Sequence, residues 1–381
     1  MSKKKRHIPT WLHAPAFLAV RTAMLPMGVC DLGECVAMAR AAARLYAGAR
    51  MNRKRLSRAI ENLHVAFPDW ERERRRECAI RSYEHLFTLA VEAAVMPRLL
   101  NEDGWSSHVS LGNMRTSVLE LLGRGYPGGV GARKACMLIT GHSGNWELLG
   151  YTMALLGFPM HALFRPLDMK PVDEWMRRTR QSRGLVLVDK FGATESLPRL
   201  MSRGFPIGFV ADQNGGDRGL FVPFFDRLAS AYKSIGLLAL KYESPIICGQ
   251  ARRLVHDVSG ESRRSGGVAG FSEFQGEPMR YQIDVVDVID PGDWADQPDP
   301  VFYITARYRR AIEMMVRQAP EQYLWMHRYW KSRPRHEHQG KPIPRQMREK
   351  IERLPWMTQE KMDRIVAWSE RDAGVLAQRT S

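Results

Sequence analysis

Short apolar runs alternate with helical segments through the middle of the chain. Runs at residues 135–140, 185–188 and 207–210 have the length and composition of buried strands, and helix-like stretches separate them. Because parallel strands are joined by crossover segments, this alternation predicts a parallel sheet with helices on its faces. A run at 245–255 is followed by another at 281–289, which is predicted to pair antiparallel with it. The predicted fold class is α/β, with a mixed, mostly parallel central sheet flanked by helices.

Amphipathic helices are predicted on both sides of this alternating region. Between residues 53 and 67, Leu56, Ile60 and Leu63 recur at three- and four-residue spacing, which is typical of one buried helix face. Further helices are predicted at 71–96, 109–123, 148–156, 194–203, 232–242 and 300–319, with one or two short helices within 351–373.

The charge balance of the chain restricts its partners. Of its 381 residues, 57 are Lys or Arg and 41 are Asp or Glu, which gives a formal net charge of +16. Such an excess of cations favours anionic partners such as phospholipid headgroups, phosphorylated substrates or an acidic carrier protein. Nucleic acid is not expected, because the sequence has no zinc-finger spacing, RNP-type aromatic strand or basic zipper. The five cysteines are widely spaced without a Cys-x-x-Cys pair, so neither a disulfide framework nor a zinc site is expected.

The two ends of the chain differ from its centre. Residues 1–50 carry basic clusters and an apolar stretch that Arg21 and Asp31 interrupt, so no window reaches the roughly 18–20 apolar residues of a spanning helix. That leaves a core-packed helix or, as we favour, a helix at a membrane surface. Residues 51–334 are predicted to form the α/β domain. Residues 335–381 are predicted to be a polar linker and a helical tail, which either contacts a partner or packs on the chain's own surface.

One turn between a predicted strand and helix carries the residue types of a general-base site. Residues five apart on a helix point about 140° apart, so His142 and Glu147 can meet only if His142 lies in the turn before the helix. Gly141 and Gly144 give that turn its freedom. A neutral imidazole can take a proton from a hydroxyl, and a carboxylate on its other nitrogen fixes its tautomer. The pattern predicts a His142–Glu147 dyad that needs neither a metal nor a cofactor.

Two further strand ends are predicted to reach the same crevice, because ligands of open α/β sheets collect at the carboxyl ends of the strands. Asp212 and Gln213 follow the third predicted strand. The glycines after them, among them Gly219, would let backbone N–H groups approach a phosphate or an oxyanion. Arg165 ends another predicted strand, at 159–164, and arginine suits bidentate capture of a phosphate.

Four separated segments of the chain occur in a characteristic order. They are Gly141–Glu147, Phe164–Pro166, Asp212-Gln213 with Gly219–Phe225, and Pro320–His327 with Lys331–Pro334. Together they resemble the bacterial lipid A biosynthesis (lauroyl/myristoyl) acyltransferase family, within the wider glycerolipid acyltransferase group and its His-x4-acid motif. Asn62-Leu63 and Phe67-Pro68 are also similar to an early signature of this family. The similarity covers about residues 11–334.

The resemblance implies transfer of a fatty acyl group from an acyl carrier protein thioester, or from acyl-CoA, to a hydroxyl of an anionic membrane lipid such as a lipid A precursor. It also implies a place on the cytoplasmic face of the bacterial inner membrane. In the resemblance His142 matches the general base, Glu147 its orienting acid and Arg165 a contact to a substrate phosphate. Positions around the substrate crevice are matched by Asn145, Asp212, Gln213 and Gly219.

The chain departs from the family's pattern at several places. Asp226 stands where a glycine usually follows the Phe-Phe pair, Ala231 stands where threonine is common, and Asp168 with Met169 replaces the usual asparagine. The tail after Pro334 is additional. These differences bear on the acceptor more than on the type of reaction.

Two rival functions follow from the same residues. Gly141-His142-Ser143-Gly144-Asn145 nearly spells the Gly-x-Ser-x-Gly nucleophile elbow, which would make the protein a serine hydrolase that uses Ser143. Alternatively, the chain is a basic membrane-binding protein without catalysis. Replacing Ser143 discriminates the first rival from a transferase, and incubation with labelled acyl thioester and lipid discriminates the second.

Overall fold

The computed structural model describes residues 29–113, 135–254 and 279–378, together with six isolated positions before residue 29. Within these ranges the chain begins with helices α1 (Leu32–Gly48), α2 (Arg53–Ala66) and α3 (Arg72–Leu99). The strands and their connecting helices follow as β1 (Val109–Ser110), β2 (Met137–Thr140), α4 (Trp146–Leu155), β3 (His161–Phe164), α5 (Lys170–Gln181), β4 (Val186–Asp189), α6 (Ala193–Ser202), β5 (Ile207–Val210), β6 (Leu220–Phe224), β7 (Arg227–Ala231), α7 (Lys233–Tyr242), β8 (Ile246–Arg253) and β9 (Tyr281–Ile289). The chain continues with α8 (Pro291–Trp294), α9 (Pro300–Gln318), α10 (Arg335–His338), α11 (Arg345–Glu352) and α12 (Gln359–Ala377).

The main sheet confirms the fold class predicted from the sequence. Its strand order, in the part of the chain that the structure describes, is β1-β9-β8-β2-β5-β3-β4. The strands from β8 to β4 run parallel, whereas β9 is antiparallel to β8 and pairs parallel with β1. Strands β6 and β7 form a separate antiparallel hairpin. The protein is therefore α/β, with a mixed, mostly parallel sheet and helices between the parallel strands.

Three neighbouring strands bring their carboxyl ends to one edge of the sheet. Thr140 at the end of β2 is paired with Val210 at the end of β5, and β3 lies on the other side of β5. The segments that follow these strands begin with Gly141, Ala211 and Arg165. This edge is where open α/β sheets place their ligands.

Helix α9 forms the centre of the core and reaches the same edge. Its buried side chains, among them Ile304, Tyr308 and Ile312, recur at four-residue spacing and form one helix face. Burial of each such side chain contributes roughly 1.5–3 kcal/mol. Arg309 on this helix is also fully buried, and its Nη1 donates hydrogen bonds to the carbonyl oxygens of Ala211 and Asp212 at 3.2 and 2.5 Å. The core helix therefore fixes the backbone of the loop after β5.

Some segments differ from the sequence prediction. The helix predicted at 109–123 is wrong at its start, because Val109 and Ser110 form a strand beside β9; its remainder from residue 114 lies outside the described residues. The β6–β7 hairpin is absent from the prediction. Phe225 and Asp226 at its turn both have a φ of 51°, a conformation for which glycine or asparagine is the usual signal.

Helix α1 packs on α3 and leaves its other face exposed. Asp31 and Glu34 form a capping box at its start, and Ala43 and Ala47 are buried against α3. Leu45, on the outer face, is 78% exposed. In the described part of the chain, no helix is long and apolar enough to cross a membrane. The first segment of the predicted membrane-associating region, including its basic cluster at 3–6, lies outside the described residues.

The tail packs on the chain's own surface over the described residues 335–378. Asp372 of α12 accepts hydrogen bonds from Nε and Nη2 of Arg227 at 2.9 and 2.5 Å and forms a salt bridge with Arg333 at 2.9 Å. Arg364 on the same helix forms a salt bridge with Asp226 at 2.7 Å. Both contacts hold α12 against the β6–β7 hairpin.

Candidate active site

The imidazole of His142 is held by a buried carboxylate. Nδ1 of His142 donates a hydrogen bond to Oδ1 of Asp212 at 2.7 Å, and the backbone N–H of His142 donates to Oδ2 at 3.0 Å. Burial alone would raise the pKa of Asp212. The His142 imidazole, these two hydrogen bonds and the Arg309 guanidinium outweigh burial and hold that pKa well below its usual range. An ionised Asp212 fixes the proton on Nδ1 and leaves Nε2 as the basic nitrogen.

Glu147 has a different partner from the one the sequence predicts. Its carboxylate accepts hydrogen bonds from Nε and Nη2 of Arg180 at 2.7 and 2.5 Å, and the indole N–H of Trp146 donates to it at 3.1 Å. The predicted His142–Glu147 pairing is therefore corrected to His142–Asp212. The reason is that Glu147 lies in the first turn of α4, where a guanidinium from α5 binds it, whereas Asp212 approaches from the neighbouring strand end.

Gly144 determines the shape of the turn that carries His142. It has a φ of 61°, and a Cβ at this position would lie 2.1 Å from the carbonyl oxygen of Ala251, so only glycine fits. The N–H of Gly144 donates to the carbonyl of Gln322 at 3.0 Å, and the N–H of Leu324 donates to the carbonyl of His142 at 3.2 Å. The turn is therefore held between β8 and the segment that follows α9.

Asn145, predicted to lie around the substrate crevice, is buried and caps helix α4. It is 2% exposed, and its Oδ1 accepts a hydrogen bond from the N–H of Leu148 at 2.9 Å as the N-cap of α4. Its Nδ2 donates to the buried carboxylate of Glu92 at 3.2 Å. Glu92 also forms a salt bridge with buried Arg253 and accepts from the Tyr281 hydroxyl at 2.5 Å. This buried network fixes the start of α4, and with it the turn before the helix.

His85 supports the same turn and gives the fold a predicted pH dependence. Its Nε2 donates to the carbonyl of Gly144 at 2.9 Å, and burial together with the charge of Arg253 lowers its pKa from 6.5 to about 3. Below pH 6.5 the imidazole of His85 binds a proton in the unfolded chain but not in the folded chain. The contribution of this group to the free energy of unfolding is therefore fully present above pH 6.5 and declines below it. We expect this group to remove about 1.4 kcal/mol of unfolding free energy per pH unit between pH 6 and 4.

Denaturant unfolding at pH 7 and pH 5 measures this effect. His85→Gln should show a smaller loss of stability between the two pH values than the unsubstituted chain. His338→Gln, at an exposed position on α10, is the matched control and should keep the full loss. An equal loss in all three proteins would contradict the role given to His85.

A cavity of about 650 Å³ opens beside His142 at the carboxyl edge of the sheet. This volume is in the range of pockets that enclose small-molecule ligands. Apolar side chains from the strands and from α6 and α7 form much of its wall, including Leu163, Leu187, Leu197, Phe209, Ile235 and Leu238. Its polar lining residues include His142, Glu147, Arg165, Arg180, Lys190, Gln213 and Lys241. The cavity therefore combines an apolar wall with several cations and the candidate base.

The residues predicted for the substrate crevice separate into two groups. Arg165 and Gln213 line the cavity, and Nε2 of Gln213 lies 3.5 Å from Nε2 of His142. Arg165 is half-exposed, and its Nη2 lies 3.9 Å from the Asp168 carboxylate. Asp212 does not line the cavity and is fully buried behind His142.

Gly219, also predicted to lie around the crevice, packs against β7 and is not among the residues that line the cavity. A Cβ there would lie 2.0 Å from Oγ of Ser230 on β7, so the position is closed to any side chain. The N–H groups of Gly219 and Gly215 donate to the carbonyls of Gly216 and Ser230 at 3.1 and 2.9 Å. These two N–H groups are therefore engaged, and the expected oxyanion contact from them is corrected.

A second histidine beside the site has no role in the sequence prediction. The ring centroids of His327 and His142 are 5.2 Å apart, and the Trp146 ring lies 4.9 Å from His142 on another side. Burial, followed by the charge of His142, lowers the pKa of His327 to about 4, so its ring is neutral near pH 7. Its position in the Pro320–His327 motif is the available sequence signal, but distance along the chain conceals the contact.

The sequence has relatives among known proteins. The sequence profile described as "Bacterial lipid A biosynthesis acyltransferase" matches residues 2–256, more than half of the chain. The chain belongs to this family. The match includes the His142 turn, Arg165 and the Asp212 loop, which the structure brings to one edge. His327 lies beyond the matched segment.

Two curated relatives have names consistent with the family. The lipid A biosynthesis palmitoleoyltransferase of Escherichia coli K12 is 24% identical over 288 residues, which cover 74% of this chain and 80% of the relative. The lipid A biosynthesis acyltransferase of Shigella flexneri has the same identity and coverage. Membership of this lipid A biosynthesis acyltransferase family makes the chain an enzyme of the transferase class and sets aside the non-catalytic alternative.

Proposed function

We propose that this acyltransferase moves a fatty acyl chain from an acyl carrier protein or coenzyme A thioester to a hydroxyl of a lipid A precursor, with His142 as general base. The observation that carries the proposal is the His142–Asp212 pair at the edge of a cavity with a largely apolar wall. The apolar wall suits an acyl chain. A base with one nitrogen held by a carboxylate suits removal of a proton from a hydroxyl.

The proposed reaction is a direct transfer without an acyl-enzyme. The hydroxyl oxygen of the acceptor attacks the thioester carbonyl carbon while Nε2 of His142 takes the hydroxyl proton. The tetrahedral intermediate then collapses, the carbon–sulfur bond breaks, and the thiolate leaves with the proton returned by the imidazolium. Gln213, with its amide nitrogen 3.5 Å from Nε2, is the donor we assign to the oxyanion of this intermediate.

The charges of the cavity favour anionic substrates. Arg165, Lys190 and Lys241 line it, whereas the charge of Arg180 is compensated by Glu147. We assign Arg165 to a phosphate of donor or acceptor, because its guanidinium is half-exposed and its contact with Asp168 is long at 3.9 Å. The thioester donor is either an acyl carrier protein or coenzyme A, and both of these donors carry a phosphate.

The surface near the cavity supports a membrane location. Leu167 and Leu237, both of which line the cavity, are 46% and 48% exposed, and Phe191, next to the lining residue Lys190, is 73% exposed. Exposed apolar side chains among cations are typical of a surface that binds anionic lipid. We propose that the enzyme works at the cytoplasmic surface of the bacterial inner membrane, where its acceptor would lie.

Ser143 separates this mechanism from a serine hydrolase. Its side chain is fully buried, and its hydroxyl donates to Oε1 of Gln250 at 3.3 Å, away from substrate. We expect Ser143→Ala to keep acyl transfer within about threefold of the unsubstituted rate, because loss of one neutral hydrogen bond costs roughly 0.5–1.5 kcal/mol of stability and removes no reacting group. Loss of activity in a folded Ser143→Ala variant would favour the hydrolase.

The proposed function itself is tested by transfer of label. The purified chain is incubated with acyl carrier protein or coenzyme A charged with a labelled fatty acid and with a lipid A precursor in detergent or vesicles. We expect the label to move to the lipid and to remain bound to it under mild conditions that exchange thioesters. Release of free fatty acid alone, at the same rate with and without the lipid, would argue against a transferase.

A further inference from the structure

Three arginines lie near one another beside the segment that contains His327. Nη1 of Arg58 on α2 donates to the carbonyl of Met326 at 3.2 Å, which places its guanidinium against the segment that contains His327. Arg55 lies one helical turn earlier on α2, and Arg328 follows His327 directly. None of the three is among the residues described for the cavity wall, so this cluster is separate from the Arg165 site.

Arg58 of this cluster lies near His327, whose ring is beside that of the candidate base. Asn62 on α2 donates to the carbonyls of Trp325 and His327 at 2.7 and 2.8 Å, so α2 is fixed against this segment. The ring of His327 is 5.2 Å from that of His142. The charge of Arg58 contributes to the lowered pKa of His327, which agrees with their proximity. An anion bound at Arg58 would therefore lie near the two histidines.

The three guanidinium groups repel one another, and the Glu61 carboxylate, whose charge acts on Arg58, lies beyond salt-bridge distance. Within residues 29–113, 135–254 and 279–378, no salt bridge involves Arg55, Arg58 or Arg328, although Arg180, Arg227 and Arg253 each have one. Burial and then the charges of Arg328 and Arg55 lower the pKa of Arg58, and the charge of Glu61 raises it by less than either arginine lowers it. Mutual repulsion of this kind is relieved when an anion binds between the groups.

An exposed apolar face beside the cluster indicates that the anion is carried by a lipid. Nη1 of Arg55 donates to the Tyr46 hydroxyl of α1 at 2.9 Å, which connects the cluster to that helix. On the outer side of α1 and the turn after it, Met38, Leu45 and Met51 are 52%, 78% and 83% exposed. A protein partner would match the arginines with charged or polar groups, whereas a lipid offers a phosphate for the arginines and an apolar chain for the exposed face together.

We propose that Arg55, Arg58 and Arg328 bind a phosphate group on the headgroup of the lipid acceptor while its hydroxyl lies at His142. The inference rests on the proposed acyl transfer and adds a binding site to it. The phosphate would accept charge-assisted hydrogen bonds from the guanidinium groups, and the acyl chains of the acceptor would lie along the exposed face of α1. The site thereby selects phosphorylated lipids.

Steady-state kinetics with two acceptors tests the site. The acceptors are a phosphorylated lipid A precursor and the same lipid after removal of its phosphates. We expect Arg58→Gln and Arg328→Gln each to raise the KM for the phosphorylated lipid about tenfold, with kcat and the KM for the thioester within about threefold. With the dephosphorylated lipid, variants and unsubstituted chain should have similar KM values. Arg345→Gln, at an exposed position on α11, is the matched control and should change neither KM.

Binding to vesicles provides a readout that does not depend on turnover. Vesicles of phosphatidylcholine that contain either lipid are mixed with the full chain, and the bound fraction is measured by flotation. The unsubstituted chain should bind the phosphorylated lipid at least about fivefold more tightly than the dephosphorylated lipid, and Arg328→Gln should lose this preference. Arg328 is exposed, so its replacement tests the site without removing the Arg58–Met326 contact.

Several outcomes would overturn the inference. One is an unchanged preference for phosphorylated lipid in Arg58→Gln and Arg328→Gln. Another is a raised KM for acyl carrier protein without a raised KM for the lipid. That result would assign the cluster to binding of the carrier protein. A chain that transfers no acyl group but binds phosphorylated lipid through Arg328 would refute the proposed function and leave the phosphate site intact.

Discussion

Replacement of His142 with alanine should lower acyl transfer by about 10² to 10⁴-fold, since general-base assistance typically contributes that factor. The imidazole is the group that Asp212 orients at the cavity edge, and its side chain is 16% exposed, so its loss removes little packing. We therefore expect kcat to fall while the KM values and the thermal midpoint change little. Initial rates of labelled acyl transfer and a thermal unfolding scan measure both effects.

The matched control for this variant is His338→Ala, which removes an exposed imidazole from α10. It should transfer acyl groups at the unsubstituted rate. A folded His142→Ala chain with near-normal turnover would refute the assignment of His142 as the base. A variant that no longer unfolds cooperatively would instead be compared with His142→Gln, which keeps a polar side chain of similar size at the turn.

The sequence predicts the fold where the local hydrophobic pattern and the sheet topology agree. The runs that become β2, β5, β8 and β9 are bounded by turn residues and are apolar enough to mark buried strands, and their alternation with helices limits the topology. The β6–β7 hairpin could not be read in this way. Its turn places Phe225, a bulky residue, in a left-handed backbone conformation that such residues rarely adopt, and Asp226 alone is a weak turn signal, so tertiary contacts must maintain it.

The hairpin also connects two departures from the family pattern. Asp226 occupies the position where the family usually has glycine, and Arg364 of the additional tail forms a salt bridge with it. Asp372 on the same helix binds both Arg227 and Arg333. The tail thus supplies partners for charged side chains of the hairpin, and the two departures form one structural unit on the side of the molecule that carries the loop after β5.

The site shows which part of the chemistry the sequence could predict. The rule that loops after neighbouring parallel strands share a crevice brings His142, Asp212 and Arg165 to one edge, although 70 residues separate the first two. The rule does not tell which carboxylate faces the ring. That choice depends on Arg180, which binds Glu147 from α5, a helix that has no counterpart among the predicted elements.

Replacement of Asp212 and of Glu147 should therefore have very different effects. Asp212→Asn removes the negative charge that fixes the Nδ1 proton of His142, and its amide can present a donor where the imidazole needs an acceptor. This change favours the wrong tautomer, with the proton on Nε2, and should lower kcat by about 10² to 10⁴-fold. Glu147→Gln leaves the imidazole oriented and should reduce kcat by less than about tenfold, through the loss of one carboxylate–Arg180 pair that is partly exposed to solvent.

Parallel kinetics of the two variants across pH 5 to 9 distinguish the two carboxylates. If Asp212 is the orienting acid, its variant should lose kcat at every pH, and Glu147→Gln should keep the pH profile of the unsubstituted chain with at most a raised KM from the disturbed Arg180. The reverse order of effects, with Glu147→Gln nearly inactive and Asp212→Asn active, would return the dyad to the pair predicted from the five-residue spacing. Because both variants keep side-chain volume, a difference between them reports the charge beside the imidazole rather than a change in packing.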